Sequence, residues 1–411
     1  MSGSLFNGRI IQSALDLDVY KINMMFAAFT HYPQTRVRYE LIVRSNEDLS
    51  DLQPLIEKEI NALSECRFTT NDIAYLRTQA PYLNDNFLNY LSDFAFAPKH
   101  QVKVSKTDKQ LSVSITGIWH ETILYETLVM SIISELRSRQ RWNAIPYSQF
   151  TTTLEQKVDA IKSELKKRSI ENFQFSEMGS RRRFSAPVQH EVVSYFKQHA
   201  PALMSGTSNY QLAKELDLTP IGTVAHEWFM AHQALVEPEK SQQVALDLWQ
   251  STFNGKLGIA LTDTIGIDAF LKDFNVERAN DYAGVRHDSG NPFEWGDKMI
   301  AHYQSLGIDP MSKILIFTDG LNFADALDIC EYFAGRANIS FGIGTFLAND
   351  MGNWQQDSVQ YQPLSIVVKM AECNGRPVAK ISDEPEKAMC EDEEFLAELK
   401  KSFGVQSKYA A

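Results

Sequence analysis

Gly222-Thr-Val-Ala-His226-Glu-Trp228 places a histidine where a short apolar stretch, Pro220-Ile-Gly-Thr-Val224, gives way to an amphipathic start at Trp228, Phe229 and Ala231. We read a strand followed by a helix. A histidine at that junction lies near backbone N–H groups and a positive helix end, which together favour an incoming phosphate. Taken alone, a capping or core histidine is the plainer account. Its surroundings decide.

The same step repeats along the chain. Residues 173–177 lead to a helix over 187–199, 257–263 to 267–274, 282–286 to 294–306 and 313–318 to 324–333, and 339–344 close the series. Short apolar strands alternating with helices predict a parallel sheet covered by helices. The fold class is α/β, and the length suits an irregular α/β barrel better than an open sheet. Nearly every polar residue of interest falls just after a strand: 176–183, His226, Asp263, 286–291, 319–322 and 342–345. In a barrel these positions share the rim on which such folds do chemistry.

The flanks read differently. Residues 36–44 alternate as a half-buried strand does, 51–98 read as short helices, and 101–105 with 111–116 read as a hairpin around a polar turn at 106–109. Asp16 and Asp18 precede a helical run at 23–29, which they could cap. Near the other end, 365–370 and 377–381 flank Asn374-Gly375, a hairpin turn signal, and a helix over 392–403 ends at Gly404. Long helical stretches through Leu136 and Leu165 separate these patterns. We therefore expect a second, α+β domain over 1–140 completed by 366–411, with the tail packed on it. A barrel domain over 141–365 then carries the site.

A formal net charge of -12 excludes the basic footprint of a nucleic-acid binder, so an anionic ligand must find local cations. No apolar run has membrane-spanning length and no secretory pattern opens the chain. Four cysteines, far apart and without a C-x-x-C pair, argue against structural zinc or a disulfide framework and fit a reducing, cytoplasmic setting.

Cations do cluster. Arg181, Arg182 and Arg183 follow Glu177-Met-Gly-Ser, and guanidinium forks suit carboxylate and phosphate, although a solvated basic turn is the plainer account. Ser205-Gly-Thr-Ser208-Asn209 opens a helix, as a cap or as a cradle for an anion or ring substituent. If its strand neighbours that of His226, Asp263 can orient the imidazole. Gly284-Val-Arg286-His287-Asp288-Ser289-Gly290-Asn291-Pro292 holds more charge than a turn needs. Asp319-Gly320 and Gly342-Ile-Gly344-Thr345 end the last two strands, where barrels often bind phosphate through backbone N–H groups. The rim thus offers places for several phosphates, a ribose-like diol and a small anion.

Asp16-Leu-Asp-Val-Tyr-Lys-Ile-Asn-Met, Gly179-Ser-Arg-Arg-Arg-Phe-Ser, Gly206-Thr-Ser-Asn, the His226 stretch, Leu261-Thr-Asp-Thr, Arg286-His-Asp-Ser-Gly-Asn-Pro and Phe341-Gly-Ile-Gly-Thr together resemble the nicotinate phosphoribosyltransferase family, in its order and over nearly the whole chain. The resemblance implies a type II phosphoribosyltransferase: an irregular α/β barrel with a domain made from both chain ends. It implies transfer of the 5-phosphoribosyl group from phosphoribosyl pyrophosphate to nicotinate, giving nicotinate mononucleotide and pyrophosphate for NAD synthesis. ATP is the implied co-substrate, through a transient phosphohistidine at His226 oriented by Asp263, with Mg²⁺ as cofactor.

Residue by residue, Arg181 matches the arginine near the pyridine substituent. Ser208 occupies a position that is Asp in the nicotinamide-using relatives, and an aspartate there would repel an acid. Tyr20 matches an aromatic that stacks on the pyridine, in relatives from a neighbouring subunit, so a homodimer is among the arrangements implied. Where relatives carry Phe before the Gly-x-Arg-Arg turn, this chain has Met178, whose thioether can still cover a ring face. Arg182, Arg286, Asp288, Asp319, Gly320, Gly342, Gly344 and Thr345 fall to the phosphate and ribose contacts. No residue is assigned to the metal. The alternatives are a nicotinamide-using enzyme of the same fold and a non-catalytic metabolite-binding relative. A phosphosugar aldolase or isomerase would want a Schiff-base lysine at a strand end, and Lys369, in the tail, is its weak candidate.

Overall fold

The computed structural model describes residues 4–405 except 46, 108, 109, 385 and 386. Alternation builds the first sheet. β1 (Arg36–Val43), β2 (Val102–Lys106) and β3 (Leu111–Ile118) pair antiparallel, and β3 buries every second side chain. The polar turn expected at 106–109 includes two residues outside the described ones.

The middle of the chain supplies β4 (Phe175–Glu177), β5 (Met204–Thr207), β6 (Ile259–Leu261), β7 (Gly284–His287), β8 (Ile314–Phe317) and β9 (Asn338–Ile343). All pair parallel, in the order β5-β4-β9-β8-β7-β6. After a small ribbon of β10 (Gln355–Gln356) and β11 (Val359–Gln360), β12 (Ile366–Cys373) returns to pair with β1, and β13 (Arg376–Pro377) lies on its far edge. Asn374 and Gly375 turn between them with φ of 51° and 74°, the doubly positive turn that Asn-Gly favours.

Two expectations are corrected. Residues 220–224 are not a strand: only Pro220 makes a bridge, to Thr207, and β5 takes the sheet position instead. The cause is the helix Val19–His31, whose first turn packs on this segment. A Cβ on Gly222 would stand 2.9 Å from the Tyr20 nitrogen, and Asn23 donates to the Gly222 carbonyl at 3.0 Å. A seam is left between segment 220–225 and β6. Second, the tail does not pack on the first sheet alone. Beyond β12, Ala379, Ile381 and Leu399 pack with Ile265 and Ala269 on the barrel side. We propose the division at 365/366 as one of sheet membership only.

Aromatic and charged groups meet at the junction between the two sheets. Trp119 stacks on Trp228 at 5.7 Å, and beside them the Lys21 ammonium is buried between Glu126 and Glu227. The other Glu227 oxygen accepts from Tyr39 Oη at 3.0 Å and Trp119 Nε1 at 2.9 Å. Burial opposes the charge on Glu126, but Lys21 and Lys369 hold its carboxyl at about 2.

Removing one member of such a cluster leaves buried carboxylates without a cation, which costs about 3–5 kcal/mol. Lys21→Met should lose stability on that scale in urea unfolding at pH 8. Without Lys21 the two carboxyls have folded pKa values above their unfolded ones, so the loss should shrink as pH falls towards 5.

Candidate active site

The strand ends of the barrel, the first helix and β12 enclose a cavity of about 400 Å³. Tyr20 enters from the first helix, Met178, Arg181 and Arg182 follow β4, and Ser208 follows β5. His226 stands at the seam, Arg286 and Asp288 end β7, Gly320 follows β8, and Gly342, Gly344 and Thr345 end β9. Tyr20 reaches the cavity of its own chain. Met178 packs against Gly342: a Cβ there would lie 2.4 Å from the Met178 sulfur and 2.8 Å from Thr318 Cγ2, so any larger residue would displace the thioether.

Two expected residues stand off the wall. Asp263 lies just behind His226, and its Oδ1 meets His226 Nε2 at 2.8 Å. Asp319 does not line the cavity: Lys387 of the tail draws its carboxylate aside at 2.6 Å. The arginine run also divides. Arg183 is buried and holds Asp16 through two hydrogen bonds of 2.7 Å, so it is structural. Asp16 therefore serves Arg183 rather than a helix end, and Asp18 makes no side-chain cap either. Asn209, not Ser208, caps the following helix.

The seam pair is electrostatically defined. Asp263 Oδ2 takes Lys380 Nζ at 2.8 Å and Ser289 Oγ at 2.6 Å. Burial opposes its ionisation, yet His226 and Lys380 hold its carboxyl well below the usual range. Burial and the Lys380 charge push the His226 imidazole down to about 4. The imidazole is therefore neutral at pH 7 and donates Nε2–H, because an ionised carboxylate can only accept.

Sequence reasoning missed several contributors. Lys369 lines the cavity from β12 and Lys380 sits behind the seam, both from the antiparallel tail. Glu126 and Asp18 also line the wall. Ser208 is not free beside Arg181: its hydroxyl donates to Asp18 Oδ1 at 2.5 Å. Among the described residues, Arg181, Arg182, Arg286 and Lys369 donate no side-chain hydrogen bond, and Arg181 has only Asp18 at 3.5 Å and Glu126 at 3.7 Å. Cations left open in an acidic protein mark a polyanion site.

Known proteins place this geometry. Residues 15–134 match the sequence model of the nicotinate phosphoribosyltransferase N-terminal domain, and 173–407 match that of the nicotinate phosphoribosyltransferase family. The chain belongs to the nicotinate phosphoribosyltransferase family. It is 66% identical over 412 residues to the nicotinate phosphoribosyltransferase of Vibrio vulnificus, covering 99% of this chain and 94% of that one. It is 44% identical over 407 residues to that of Ectopseudomonas mendocina, covering 98% and 100%. The crystal structure of the Vibrio cholerae nicotinate phosphoribosyltransferase, 58% identical, superposes with a TM-score of 0.96 over 98% of this chain and 96% of that one. The Porphyromonas gingivalis nicotinate phosphoribosyltransferase structure, 32% identical, gives 0.89 over 96% and 100%. The irregular α/β barrel with its second domain is thus the family's fold.

For the metal the family chemistry implies, one carboxylate fits. Donor atoms of His226, Asp263 and Asp288 lie within 4.8 Å of one another. Both Asp263 oxygens are already engaged, and imidazole is a poor ligand for a hard cation. Asp288 gives Oδ1 to Thr318 at 2.7 Å and keeps Oδ2 3.8 Å from His226 Nε2. Burial works against its charge, but Arg286 and His226 hold it at about 2. One ionised carboxylate sharing Mg²⁺ with substrate phosphates is how that ion commonly binds.

Burial, with Arg181 and Arg44 nearby, pushes Arg182 down to about 10, so its charge is held against a cost that an anion relieves. Arg182→Met should raise the melting temperature of the ligand-free protein by a few degrees while weakening pyrophosphate binding. Calorimetry of unfolding and of binding checks both signs.

Proposed function

We propose that this chain, as a nicotinate phosphoribosyltransferase, transfers the 5-phosphoribosyl group from phosphoribosyl pyrophosphate to nicotinate, with ATP hydrolysis coupled through a phosphohistidine at His226. The observation that carries the reading is the Arg181 guanidinium, open to a carboxylate, with its centre 5.7 Å from the Tyr20 ring and facing one cavity with Arg182 and Arg286. A pyridine ring held between Tyr20 and Met178, with its carboxylate on Arg181, points its nitrogen towards the phosphate-binding rim.

The transfer needs no base. The pyridine nitrogen lone pair forms the bond to the ribose anomeric carbon, the bond from that carbon to the pyrophosphate oxygen breaks, and pyrophosphate leaves with the electron pair. The chain's part is alignment and charge: Arg182, Arg286 and Lys369 stabilise the departing anion, Asp288 and Gly320 orient the ribose, and Gly342, Gly344 and Thr345 cradle phosphate. Mg²⁺, when bound at Asp288, supplies further neutralisation of phosphate charge. With Nε2–H committed to Asp263, Nδ1 of His226 keeps the lone pair that attacks the terminal phosphorus of ATP and expels ADP. The added charge then reorganises the phosphate contacts around it.

Tyr20 lies in its own chain's cavity, so we take the site to be complete within one chain, whether or not chains pair. All four cysteines are free, which agrees with a reducing compartment, and we place the reaction in the cytoplasm. No helix among the described residues is long and apolar enough to cross a membrane. The second reading, a nicotinamide-using enzyme, is favoured by one contact, Asp18 beside Arg181.

Incubation with γ-labelled ATP should put acid-labile, base-stable label on the native protein and none on His226→Ala. Absence of label where nicotinate mononucleotide is still formed would remove the coupling. Because His226 stays neutral down to about 4, labelling should not show the tenfold loss per pH unit of an ordinary imidazole below about 6.5. Arg181→Met should cost about 1.5–3 kcal/mol in kcat/KM for nicotinate, the scale of hydrogen bonds to a charged group. Faster turnover of nicotinamide than of nicotinate by the native protein would favour the second reading.

A further inference from the structure

Among the described residues, Asp18 is the one carboxylate of the cavity wall that has no role in the transfer and whose cation, Arg181, does not hydrogen-bond it. It stands at the first turn of the helix Val19–His31 without capping it and is almost wholly buried. Its Oδ1 accepts from Ser208 Oγ at 2.5 Å. Its Oδ2, also buried, accepts no hydrogen bond and lies 3.5 Å from Arg181 Nε.

The groups facing it come from four elements. The turn after β4 brings Ser180 and Arg181, the helix Tyr125–Arg141 brings Glu126, β4 brings Glu177, and its own helix brings Tyr20. Glu126 is committed to Lys21. Glu177 is committed to Thr207 Oγ1 at 2.6 Å, the Gly179 nitrogen at 2.6 Å and Gln189. Arg181 is left as the cation that both Asp18 and an incoming carboxylate must share. Two carboxylates on one guanidinium in a buried site leave an excess negative charge, and the cheapest way to remove it is a proton.

We propose that Asp18 determines which charge the pyridine substituent carries: nicotinate binds together with a proton taken from solvent onto Asp18, and ionised Asp18 selects an uncharged substituent instead. The inference rests on the reading that nicotinate's carboxylate docks on Arg181. The unpartnered Oδ2 is the atom that takes the proton. Once protonated it becomes a donor beside Arg181, and Oδ1 keeps the Ser208 hydrogen bond. Burial already pushes the Asp18 carboxyl above its ordinary value, in the direction uptake requires. Ser208 then acts by holding this carboxyl rather than by touching the acid. Acid preference is therefore a property of pH as well as of sequence.

The test is titration calorimetry of nicotinate into the full chain at one pH, in buffers of different ionisation enthalpy. The dependence of the observed heat on the buffer's ionisation enthalpy counts the protons. The native protein should take up close to one proton per nicotinate, with affinity falling about tenfold per pH unit above neutrality, whereas nicotinamide binding should not weaken as pH rises. Asp18→Asn, checked for cooperative thermal unfolding, should bind nicotinate without uptake and with a flat pH dependence. Nicotinate binding to the native protein without uptake overturns the inference alone, as does uptake that persists in folded Asp18→Asn. If that variant fails to fold, the native pH dependence decides: parallel curves for nicotinate and nicotinamide overturn the inference, and diverging curves support it. Absence of nicotinate binding at every pH overturns the docking reading and the inference with it.

Discussion

A barrel with a seam needs something across it, and here that is the hydrogen bond from His226 to Asp263. Segment 220–225 keeps a single bridge to β5, and no backbone ladder joins it to β6. The 2.8 Å contact closes the gap with side chains. Because Asp263 also takes Lys380 from the tail and Ser289 from the loop after β7, one carboxylate ties three distant segments together. The same bond fixes the tautomer of His226, while burial and the Lys380 charge keep the imidazole neutral against the pull of Asp263. Closure of the fold and the freeing of the Nδ1 lone pair are thus one interaction, strengthened by the low dielectric around it.

What the seam does for geometry, the open cations do for energy. Arg181, Arg182, Arg286 and Lys369 converge without hydrogen-bond partners in a protein of net charge -12. Burial pushes Lys369 down to about 8, although Glu126 pulls the other way. Natural chains accept such conflict between local preference and fold mainly where function demands it. Anionic ligands meet a wall whose repulsion they relieve, so binding energy and folding energy are linked at this cavity.

The barrel rim was legible in the sequence because it is local: a residue just after a short apolar strand is on the rim whatever the rest of the chain does. Arg181, Asp263, Arg286 and Asp288 are found that way, whereas His226 is found from a strand that the structure does not form. The errors come from partners far along the chain. Pro220-Ile-Gly-Thr-Val224 has the composition of a strand, and nothing within it shows that the first helix occupies its neighbourhood. Met204-Ser-Gly-Thr207 is a strand made largely of small polar residues, with no apolar signal to show it. Asp319 has the right position, but Lys387 turns it away. Arg183 shares a run with Arg181 and Arg182, yet Asp16 draws it inward. Lys369 follows the antiparallel pattern of another sheet and comes to the barrel through the pairing of β12 with β1, whereas Lys380 lies beyond that sheet, beside Ile381, whose nitrogen donates to the Thr264 carbonyl at 2.8 Å.

These remote contacts share a rule that explains why both chain ends are needed at a site built mainly on the barrel. Several carboxylates near the cavity draw a cation from a distant segment: Asp263 has Lys380, Glu227 and Glu126 have Lys21, and Asp319 has Lys387. In the reverse sense, Asp16 from the N-terminal arm pairs with Arg183 after β4. Were the ends absent, Asp263, Glu126 and Glu227 would compete for the cavity arginines, and the wall would neutralise itself. By satisfying those carboxylates internally, the fold leaves its guanidinium groups to the ligand. Asp18 differs: among the described residues its one ion pair is with Arg181 at 3.5 Å, the guanidinium on which we propose that the acid docks.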